Sequence, residues 1–469
     1  MKGKKRRIHL LVVTSILAFL LIIPCFSTFA ASEKVKTIKI GFFSAESDAS
    51  LDFYSPWSRQ GFELGIMYAT NGTNATIAGK PYEIIYYNTK GLVNDAETIA
   101  RSSIENDEID ILIGGTYSTV AEKLASVAEE YQKLYFITPA ASSDLTGKNF
   151  NPYIFRIARN SWHDALAGVT YAIDTLDAEN FTILAADYSF GWSGVETMSK
   201  VITEKNGSLV LVQYADLTTT DFTPYITNIL TADGTIGIDY LLIIWSGRFD
   251  YLYSSLGQMN VADYMYLGGA IIDIHSTNLI ETQLNTNNLT LEGATGFCLY
   301  GYKLANNSVN DWMVEQHELR NIKPNAKLRE NYRVPELFTA SGFATAQFIV
   351  NVTNAVPGLD VYDMIKHLES NLTIDTPKGK IFLRPEDHQA LVEMYIARLD
   401  KDTNEDSETF GLLIPELVEK LDPLDVAPPV ENDWVPGSLT KPRNTPGFKM
   451  LGGLIALSIW ITSKRKRRR

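Results

Sequence analysis

The chain contains very little cysteine and histidine. Of its 469 residues, 2 are Cys and 6 are His, and Cys25 falls in an N-terminal apolar run, which leaves Cys298 as the one thiol elsewhere. A disulfide framework or a cysteine metal site needs more thiols than this. No His pair has HExxH spacing, and the segment "GWSG" lacks the last glycine of a nucleophile elbow. We therefore expect no catalytic site, no metal site and no cofactor, with an extracellular hydrolase left as an alternative.

Positive charge is also scarce between the two ends of the chain. Five of the 42 Lys and Arg residues lie within the first seven positions and six occupy the last six, so 31 remain against 55 Asp and Glu residues. The middle of the chain then carries a net charge of about −24, which repels nucleic acid and suits a solvated exterior. We expect no nucleic-acid partner.

The N-terminus has the three-part pattern of a secretory signal. Basic residues precede an apolar run over 8–29, and the small residues Thr28, Ala30 and Ala31 offer a cleavage site. We predict a signal peptide over residues 1–30. An uncleaved anchor is the alternative, because about 22 apolar residues suffice to cross a bilayer. In both cases the middle of the chain is expected to work outside the cell.

Proline marks the chain beyond Glu419, and the prolines at 423, 428, 429, 436, 442 and 446 predict an extended, disordered stalk over 421–447. The apolar stretch 450–462 that follows is short for a bilayer core. Together with Pro446-Gly447-Phe448 and the terminal basic cluster, it resembles the archaeal PGF-type sorting tail. In that family the tail is removed and replaced by a lipid anchor. We predict a membrane or sorting tail over 448–469 and leave its cleavage open.

Eight Asn-x-Ser/Thr sequons favour glycosylation of an exported surface. They begin at Asn71, Asn74, Asn180, Asn206, Asn288, Asn306, Asn351 and Asn371.

The middle of the chain alternates apolar, β-branched runs with amphipathic stretches. "TIKIGFFS", "YEIIYYN", "IDILIGG" and "LYFIT" are separated by helical patterns, and "FTILAAD", "LVLVQY", "DYLLIIW" and "YMYLGG" repeat the rhythm, with the helix after "FTILAAD" predicted from Gly194. This alternation is typical of doubly wound parallel sheets. About 390 residues are too many for one core, so we predict an α/β protein of two lobes. The segment from "TPKGKIFLRPEDH" to "ALVEMYIARLD" predicts a terminal hairpin.

Taken in order, "KIGFFS", "ILIGGTYSTVAEKL", "YFITPAASSDLT", "AADYSFGWSG", "YLGGA" and "TPKGKIFLRPEDHQ" resemble the type I periplasmic binding proteins over roughly 36–400. Within that family they are similar to solute receptors of branched-chain amino acid, amide and urea ABC transporters. The resemblance implies two doubly wound lobes joined by a hinge of three crossings. Lobe one would comprise 36–157 and 296–372, and lobe two 158–295 and 373–420. The crossings would lie near Arg156, Thr295 and Thr373.

Ligands of doubly wound sheets bind beyond the carboxyl ends of the strands. After "IDILIGG", Tyr117, Ser118 and Thr119 stand at the start of a helix, where free amides and hydroxyls can hold a carboxylate or carbonyl oxygen. A plain helix N-cap is the alternative. The resemblance favours ligand contact, because the family uses a hydroxyl residue at this turn.

Two further loops of lobe one are expected at the same edge. The loop after "LYFIT" places Ala140, Ala141 and Ser142 where small side chains let the backbone approach a ligand, as the resemblance also implies. A turn that merely begins the next segment is the alternative. Ser44 and Glu46 follow the first strand and are predicted at the cleft edge by the same geometry.

Aromatic side chains follow the strands of lobe two. Tyr188, Phe190 and Trp192 come directly after "FTILAAD", and Trp245 ends "DYLLIIW". The resemblance implies an aromatic ligand contact here, and such rings give a large, stiff surface. Core packing is the alternative for one of the first three.

The loop after "YLGG" departs from the amino acid receptors of this family, which commonly carry an acidic residue there to pair with the ligand ammonium. Ala270 and Ile271 occupy that place, and Asp273 lies two positions too far. An α-amino acid ligand is therefore in doubt, unless Glu46 or Asp273 reaches the cleft. Amides, ureas, carboxylates and aromatic solutes remain open. We include Ala270 and Asp273 among the predicted site residues.

The resulting prediction is a solute-binding protein on the extracellular face of the cell membrane, anchored at its C-terminus, that presents a small molecule to the permease subunits of an ABC transporter. A sensory or adhesion receptor with the same fold and no transport role is the alternative. We expect a monomer or a weak dimer.

Overall fold

A computed structural model describes residues 36–46, 54–72, 76–271, 273–285, 290–320, 322 and 333–441. The predicted signal peptide, the predicted C-terminal tail and the sequons at Asn74 and Asn288 lie outside these residues. None of the helices in these ranges combines the length and the apolar character that a membrane span requires.

Strands and helices alternate along the described chain. The strands are β1 (Ile38–Ser44), β2 (Tyr82–Asn88), β3 (Ile111–Gly114), β4 (Leu134–Ile137), β5 (Ile154–Arg156), β6 (Asn180–Ala186), β7 (Ser208–Ala215), β8 (Tyr240–Ile244), β9 (Tyr266–Ile271), β10 (Thr295–Cys298), β11 (Thr373–Thr376), β12 (Gly379–Arg384), β13 (Gln389–Leu391), β14 (Met394–Lys401) and β15 (Leu413–Leu421). The α-helices are α1 (Tyr54–Ala69), α2 (Val93–Glu105), α3 (Ser118–Tyr131), α4 (Ser161–Asp174), α5 (Ser189–Glu204), α6 (Thr223–Ile236), α7 (Phe249–Gln258), α8 (Ile274–Asn285), α9 (Ser308–Leu319), α10 (Leu337–Ala355) and α11 (Val361–Leu368).

Lobe one is built on an eight-stranded sheet with the order β11-β12-β13-β5-β4-β3-β1-β2. Strands β1 to β5 pair in parallel and β13 pairs in parallel with β5, whereas β11, β12 and β13 pair antiparallel. The central strands β3, β4 and β5 are buried along their whole length. Continuous burial is typical of parallel strands that are covered on both faces.

Lobe two is built on a seven-stranded sheet with the order β15-β14-β10-β9-β8-β6-β7. Strands β6 to β10 pair in parallel, and β14 pairs antiparallel with β10 and β15. The predicted α/β class with two mostly parallel sheets is therefore confirmed.

The third predicted hinge position is wrong, and the second crossing lies a few residues later than predicted. Strand β10 belongs to lobe two, because Thr295 pairs with Arg398 of β14, so the second crossing follows Cys298. Strands β11 to β13 belong to lobe one, where Gln389 lies opposite Arg156, so the third crossing lies between β13 and β14 rather than near Thr373. The predicted terminal hairpin is thereby divided between the two sheets. Local turn residues predict a hairpin, whereas the choice of sheet depends on pairing with distant strands.

The predicted free stalk is wrong for its described part. Residues 422–441, which we call the strap, leave β15 and lie against the folded body. Val426 is buried in the core, and the ring of Trp434 lies 5.7 Å from the ring of Phe150. Two apolar side chains between the prolines provide anchors that composition alone does not reveal.

Helices α1 and α10 form one wall of the space between the lobes. A Cβ atom at Gly61 would lie 1.9 Å from Thr339 O, and one at Gly342 would lie 2.1 Å from Ser58 O. Only glycine permits so close an approach of two helix backbones. The approach brings the starts of both helices together, and the rings of Tyr54 and Phe338 lie 4.0 Å apart there.

Candidate ligand-binding cleft

A cavity of about 930 Å³, including its open mouth, lies between the two lobes. Lobe one contributes the residues that follow β3 and β4, among them Ser118 and the loop from Pro139 to Ala141. Lobe two contributes Tyr188 after β6, Trp245 after β8, and Ala270 of β9. The cavity thus lies at the carboxyl ends of the parallel strands, where doubly wound sheets bind their ligands.

Hydroxyl groups and backbone atoms form the polar end of the cavity. Ser118 begins α3, and its Oγ accepts a hydrogen bond of 3.2 Å from the amide of Ser142. Ser161 begins α4, and its amide and Oγ donate to Ala141 O at 2.9 and 3.1 Å. The starts of two helices therefore face the cavity beside small side chains, an arrangement suited to binding oxygen atoms of a ligand.

An ion pair that the sequence analysis missed also lines the cavity. Arg159 Nε donates to Asp164 Oδ1 at 3.2 Å, and Arg159 Nη1 donates to Pro139 O at 3.4 Å. The two side chains are 14% and 6% exposed. Burial raises the pKa of Asp164, while the charge and hydrogen bond of Arg159 act in the opposite direction. Among the described residues Arg159 Nη2 has no hydrogen-bond partner, so two N–H groups remain for a ligand.

Aromatic rings form the remaining walls. The hydroxyl groups of Tyr188 and Ser246 lie 2.8 Å apart, which fixes the Tyr188 ring. Trp245 packs edge-on against Phe222, and its buried Nε1 has no hydrogen-bond partner in the part of the chain that the structure describes. The aromatic lining residues are Tyr54, Tyr188, Phe190, Trp245, Phe249, Tyr253, Phe297 and Phe338.

The structure brings together only part of the predicted site. The predicted residues that line the cavity are Ser118, Ala140, Ala141, Tyr188, Phe190, Trp245 and Ala270. Their contact with a ligand stays a prediction. Tyr117 lies one layer behind, with its ring 6.0 Å from the ring of Tyr188.

Four predicted residues lie away from the cavity. Ser44 is buried beside Glu46 and donates to its carboxylate at 3.2 Å, and Glu46 is exposed and paired with Arg59 at 2.9 Å. Thr119 is the second residue of α3 and does not line the cavity. Trp192 is 52% exposed and donates to Asp187. Helix α5 begins at Ser189, earlier than the predicted start at Gly194, so Phe190 faces the cavity while Trp192 faces solvent.

Ser142 supports the cavity without lining it. Its amide donates to Ser118, its carbonyl accepts a 2.6 Å hydrogen bond from Arg156 Nη1, and its side chain is fully buried. Its hydroxyl has no hydrogen-bond partner among the described residues, and its predicted contact with a ligand stays a prediction.

Asp273 is a helix cap rather than a residue of the lining. Its carboxylate accepts from the amide and the hydroxyl of Ser276 at 2.5 and 2.9 Å, at the start of α8. Across the mouth of the cleft, Tyr54 OH of lobe one lies 3.5 Å from Ser276 Oγ of lobe two. Glu336 of lobe one accepts from the amide of Ile274 at 3.2 Å. We call the described arrangement, in which these contacts join the two lobes, the closed arrangement.

Asp273 should make stability depend on pH. Burial raises the pKa of this carboxyl to about 6, although hydrogen bonds from Ser276 oppose the shift. Its contribution is therefore fully present below pH ~4 and is lost as pH rises through about 6. We expect Asp273→Asn to stabilise the protein at pH 7.5 by about 2–3 kcal/mol and to have little effect at pH 4.

Urea unfolding at both pH values, with the exposed Asp263→Asn as a matched control, tests this prediction. Equal effects of Asp273→Asn at pH 4 and pH 7.5 would contradict it.

In the described ranges, no group of three or more His, Cys, Asp and Glu side chains is arranged to hold a metal ion.

Comparison with known proteins agrees with this geometry. A family profile described as periplasmic binding protein matches residues 37–404. No curated protein sequence matches the chain. The structure of a branched-chain amino acid ABC transporter protein from Rhodopseudomonas palustris is similar, with 27% identity, a TM-score of 0.67, and coverage of 85% of this chain and 100% of that one.

Two further solved structures share the fold. A substrate-binding protein from Sphaerobacter thermophilus has 20% identity, a TM-score of 0.70, and coverage of 82% of this chain and 98% of that one. An R. palustris solute-binding protein in complex with 4-hydroxybenzoate has 18% identity, a TM-score of 0.69, and coverage of 82% and 97%. The chain belongs to the periplasmic binding protein family and has the type I fold of ABC transporter solute-binding proteins.

Proposed function

We propose that this protein captures a small organic acid with an aromatic ring between its lobes and presents it to an ABC permease. The main support for this proposal is the composition of the cavity, which combines the guanidinium group of Arg159 and several hydroxyl groups with aromatic walls. Capture requires no covalent chemistry. Lobe closure distinguishes the loaded from the empty protein, and a permease can bind the two forms differently.

The polar groups of the cavity are matched to a carboxylate. Arg159 and Ser118 both line the cavity and carry donor groups, a guanidinium and a hydroxyl. Charge-assisted hydrogen bonds to a carboxylate are about twice as strong as neutral ones. A solute-binding protein of the same fold binds 4-hydroxybenzoate and another binds benzoate, which supports a ring-bearing acid here.

A free α-amino acid is less well matched. Ala270 provides no carboxylate for an ammonium group, and the carboxylate of Asp164 is already paired with Arg159. An ammonium group buried without its own partner is heavily penalised.

The location belongs to the same proposal. The predicted signal peptide, the sequons and the predicted sorting tail together favour a glycosylated protein held at the extracellular face of the membrane. A receptor that senses the solute without delivering it is the competing proposal, and we expect a monomer or weak dimer in both cases.

Uptake by cells distinguishes transport from sensing. In the native host, loss of this protein should abolish high-affinity uptake of labelled 4-hydroxybenzoate, and the full-length chain should fractionate with membranes. Unchanged uptake together with bound solute would favour the sensory receptor. Recovery of the whole full-length protein from the culture medium would exclude the anchor.

A further inference from the structure

The strap, residues 422–441, crosses from one lobe to the other. It leaves β15 of lobe two and reaches lobe one, where Pro428 O accepts a 2.7 Å hydrogen bond from Arg384 Nη1. Asn432 Nδ2 then donates to Thr146 O at 3.0 Å. The strap is thus a fourth connection between lobes that three hinge crossings already join. It also lies outside the part of the chain that the family profile matches.

The strap is attached to lobe one at the hinge itself. Trp434 Nε1 and the amide of Gly437 donate to the two oxygens of Glu369 at 2.9 and 2.7 Å. The same carboxylate lies 3.0 Å from Nε2 of His388, whose ring stacks on Phe155 at 4.0 Å. Phe155 belongs to β5 and His388 directly precedes β13, so both lie beside hinge crossings. One buried carboxylate therefore joins the strap to the hinge.

Glu431 of the strap reaches back to lobe two. Glu431 Oε2 accepts a 3.1 Å hydrogen bond from Trp162 Nε1 of α4, and Glu431 Oε1 lies 3.4 Å from Lys200 Nζ of α5. Lys200 Nζ also lies 5.2 Å from the centre of the Trp162 ring. These three residues join the strap to two helices of lobe two, and α5 carries Tyr188 and Phe190 of the cavity at its other end.

We propose that the strap stabilises the closed arrangement of the lobes and thereby strengthens ligand binding. Its contacts with both lobes coexist with the closed-mouth contact between Tyr54 and Ser276. Rotation of the lobes away from this arrangement must stretch or break the Glu431 contacts, because the strap is fixed to lobe one at Glu369. The segment that leads to the C-terminal tail is in this way part of the binding mechanism.

The test measures opening without any ligand. Spin labels are placed on Lys90→Cys of lobe one and Asp263→Cys of lobe two in a chain comprising residues 36–441, whose own thiol, Cys298, is buried. Pulsed electron resonance then gives the distance distribution for the unliganded parent and for Glu431→Ala. We expect Glu431→Ala to enlarge the long-distance, open population by three- to tenfold relative to the closed one.

One control variant and one further test variant accompany Glu431→Ala. Asp433→Ala changes a neighbouring carboxylate of the strap that is exposed and makes no hydrogen bond in the described structure, so it should match the parent. Lys200→Met removes a Glu431 contact from the side of lobe two and should shift the distribution in the same direction as Glu431→Ala. An unchanged distribution in Glu431→Ala, or a shift toward the closed form, overturns the proposal.

Titration with 4-hydroxybenzoate provides a second measurement, the affinity for this ligand, which rests on the proposed function. Its affinity should fall three- to tenfold in Glu431→Ala and stay unchanged in Asp433→Ala. If the parent does not bind this probe, the choice of ligand fails while the distance measurement still decides the role of the strap.

Discussion

Replacing Arg156 by Met is expected to lower the free energy of unfolding by about 3–5 kcal/mol, since it removes a charged group that buried acceptors depend on. The side chain is fully buried, and its Nη1 donates to the carbonyls of Ser142 and Ala140 at 2.6 and 3.4 Å. Its Nε donates to Gln389 at 2.8 Å, and its Nη2 bonds to Thr146. Burial lowers the pKa of Arg156 to about 9, with Asp387 opposing the shift.

The measurement is urea unfolding at pH 7. Arg398→Met is the matched control, because that arginine is 54% exposed and paired with Asp400 at the surface, and it should change stability by less than ~0.5 kcal/mol. A loss below 1 kcal/mol for Arg156→Met would show that these carbonyls find other donors. Since Arg156 holds the loop that carries Ala140 and Ala141, we also expect weaker ligand binding in the variant.

Replacing Arg159 by Met should weaken binding of 4-hydroxybenzoate by about 10- to 100-fold. The expected loss is that of a charge-assisted hydrogen bond, about 1.5–3 kcal/mol. The single change leaves Asp164 buried without its cation, so the variant is combined with Asp164→Asn, which removes the uncompensated charge. Titration calorimetry of the double variant and the parent gives the comparison.

Benzamide separates the charge from the shape of the ligand. It keeps the ring and an acceptor but has no carboxylate, so the double variant should bind it with nearly the same affinity as the parent does. Arg248→Met, an exposed arginine outside the lining, is the control variant and should leave both affinities unchanged. Equal losses for benzamide and 4-hydroxybenzoate in the double variant would show that Arg159 acts on the shape of the cleft rather than on the carboxylate.

The order of strands and helices was predictable because strands that are buried in a parallel sheet consist of continuous runs of apolar residues. Strand β4 is one such run, and it is completely buried. Ser118 was predictable for a similar reason, since the start of a helix after a strand must lie at the binding edge of the sheet. The end of a strand and the start of the next helix depend on neighbouring residues, so a single sequence is enough to predict them.

Pairing between distant segments was not predictable in this way. Strands β11 to β13 join lobe one through the contact of Gln389 with Arg156, which are far apart in sequence. Arg159 and Asp164 follow the first crossing and lie on either side of the start of α4, so the sequence does show two charged residues there. Their position in the cavity was not predictable, because it depends on how the two lobes pack against each other. We predicted a free stalk in place of the strap because this segment is rich in proline. Its two apolar anchors are too few to change that prediction.

Titration calorimetry of 4-hydroxybenzoate into a chain comprising residues 36–441 measures whether the cleft binds an aromatic acid in preference to an amino acid. We expect one site with a dissociation constant of about 1 μM, which corresponds to about −8 kcal/mol, and at least 100-fold weaker binding of leucine. Binding of leucine in the same range as 4-hydroxybenzoate, or tighter, would contradict it and would identify Asp164 as the partner of the ligand ammonium.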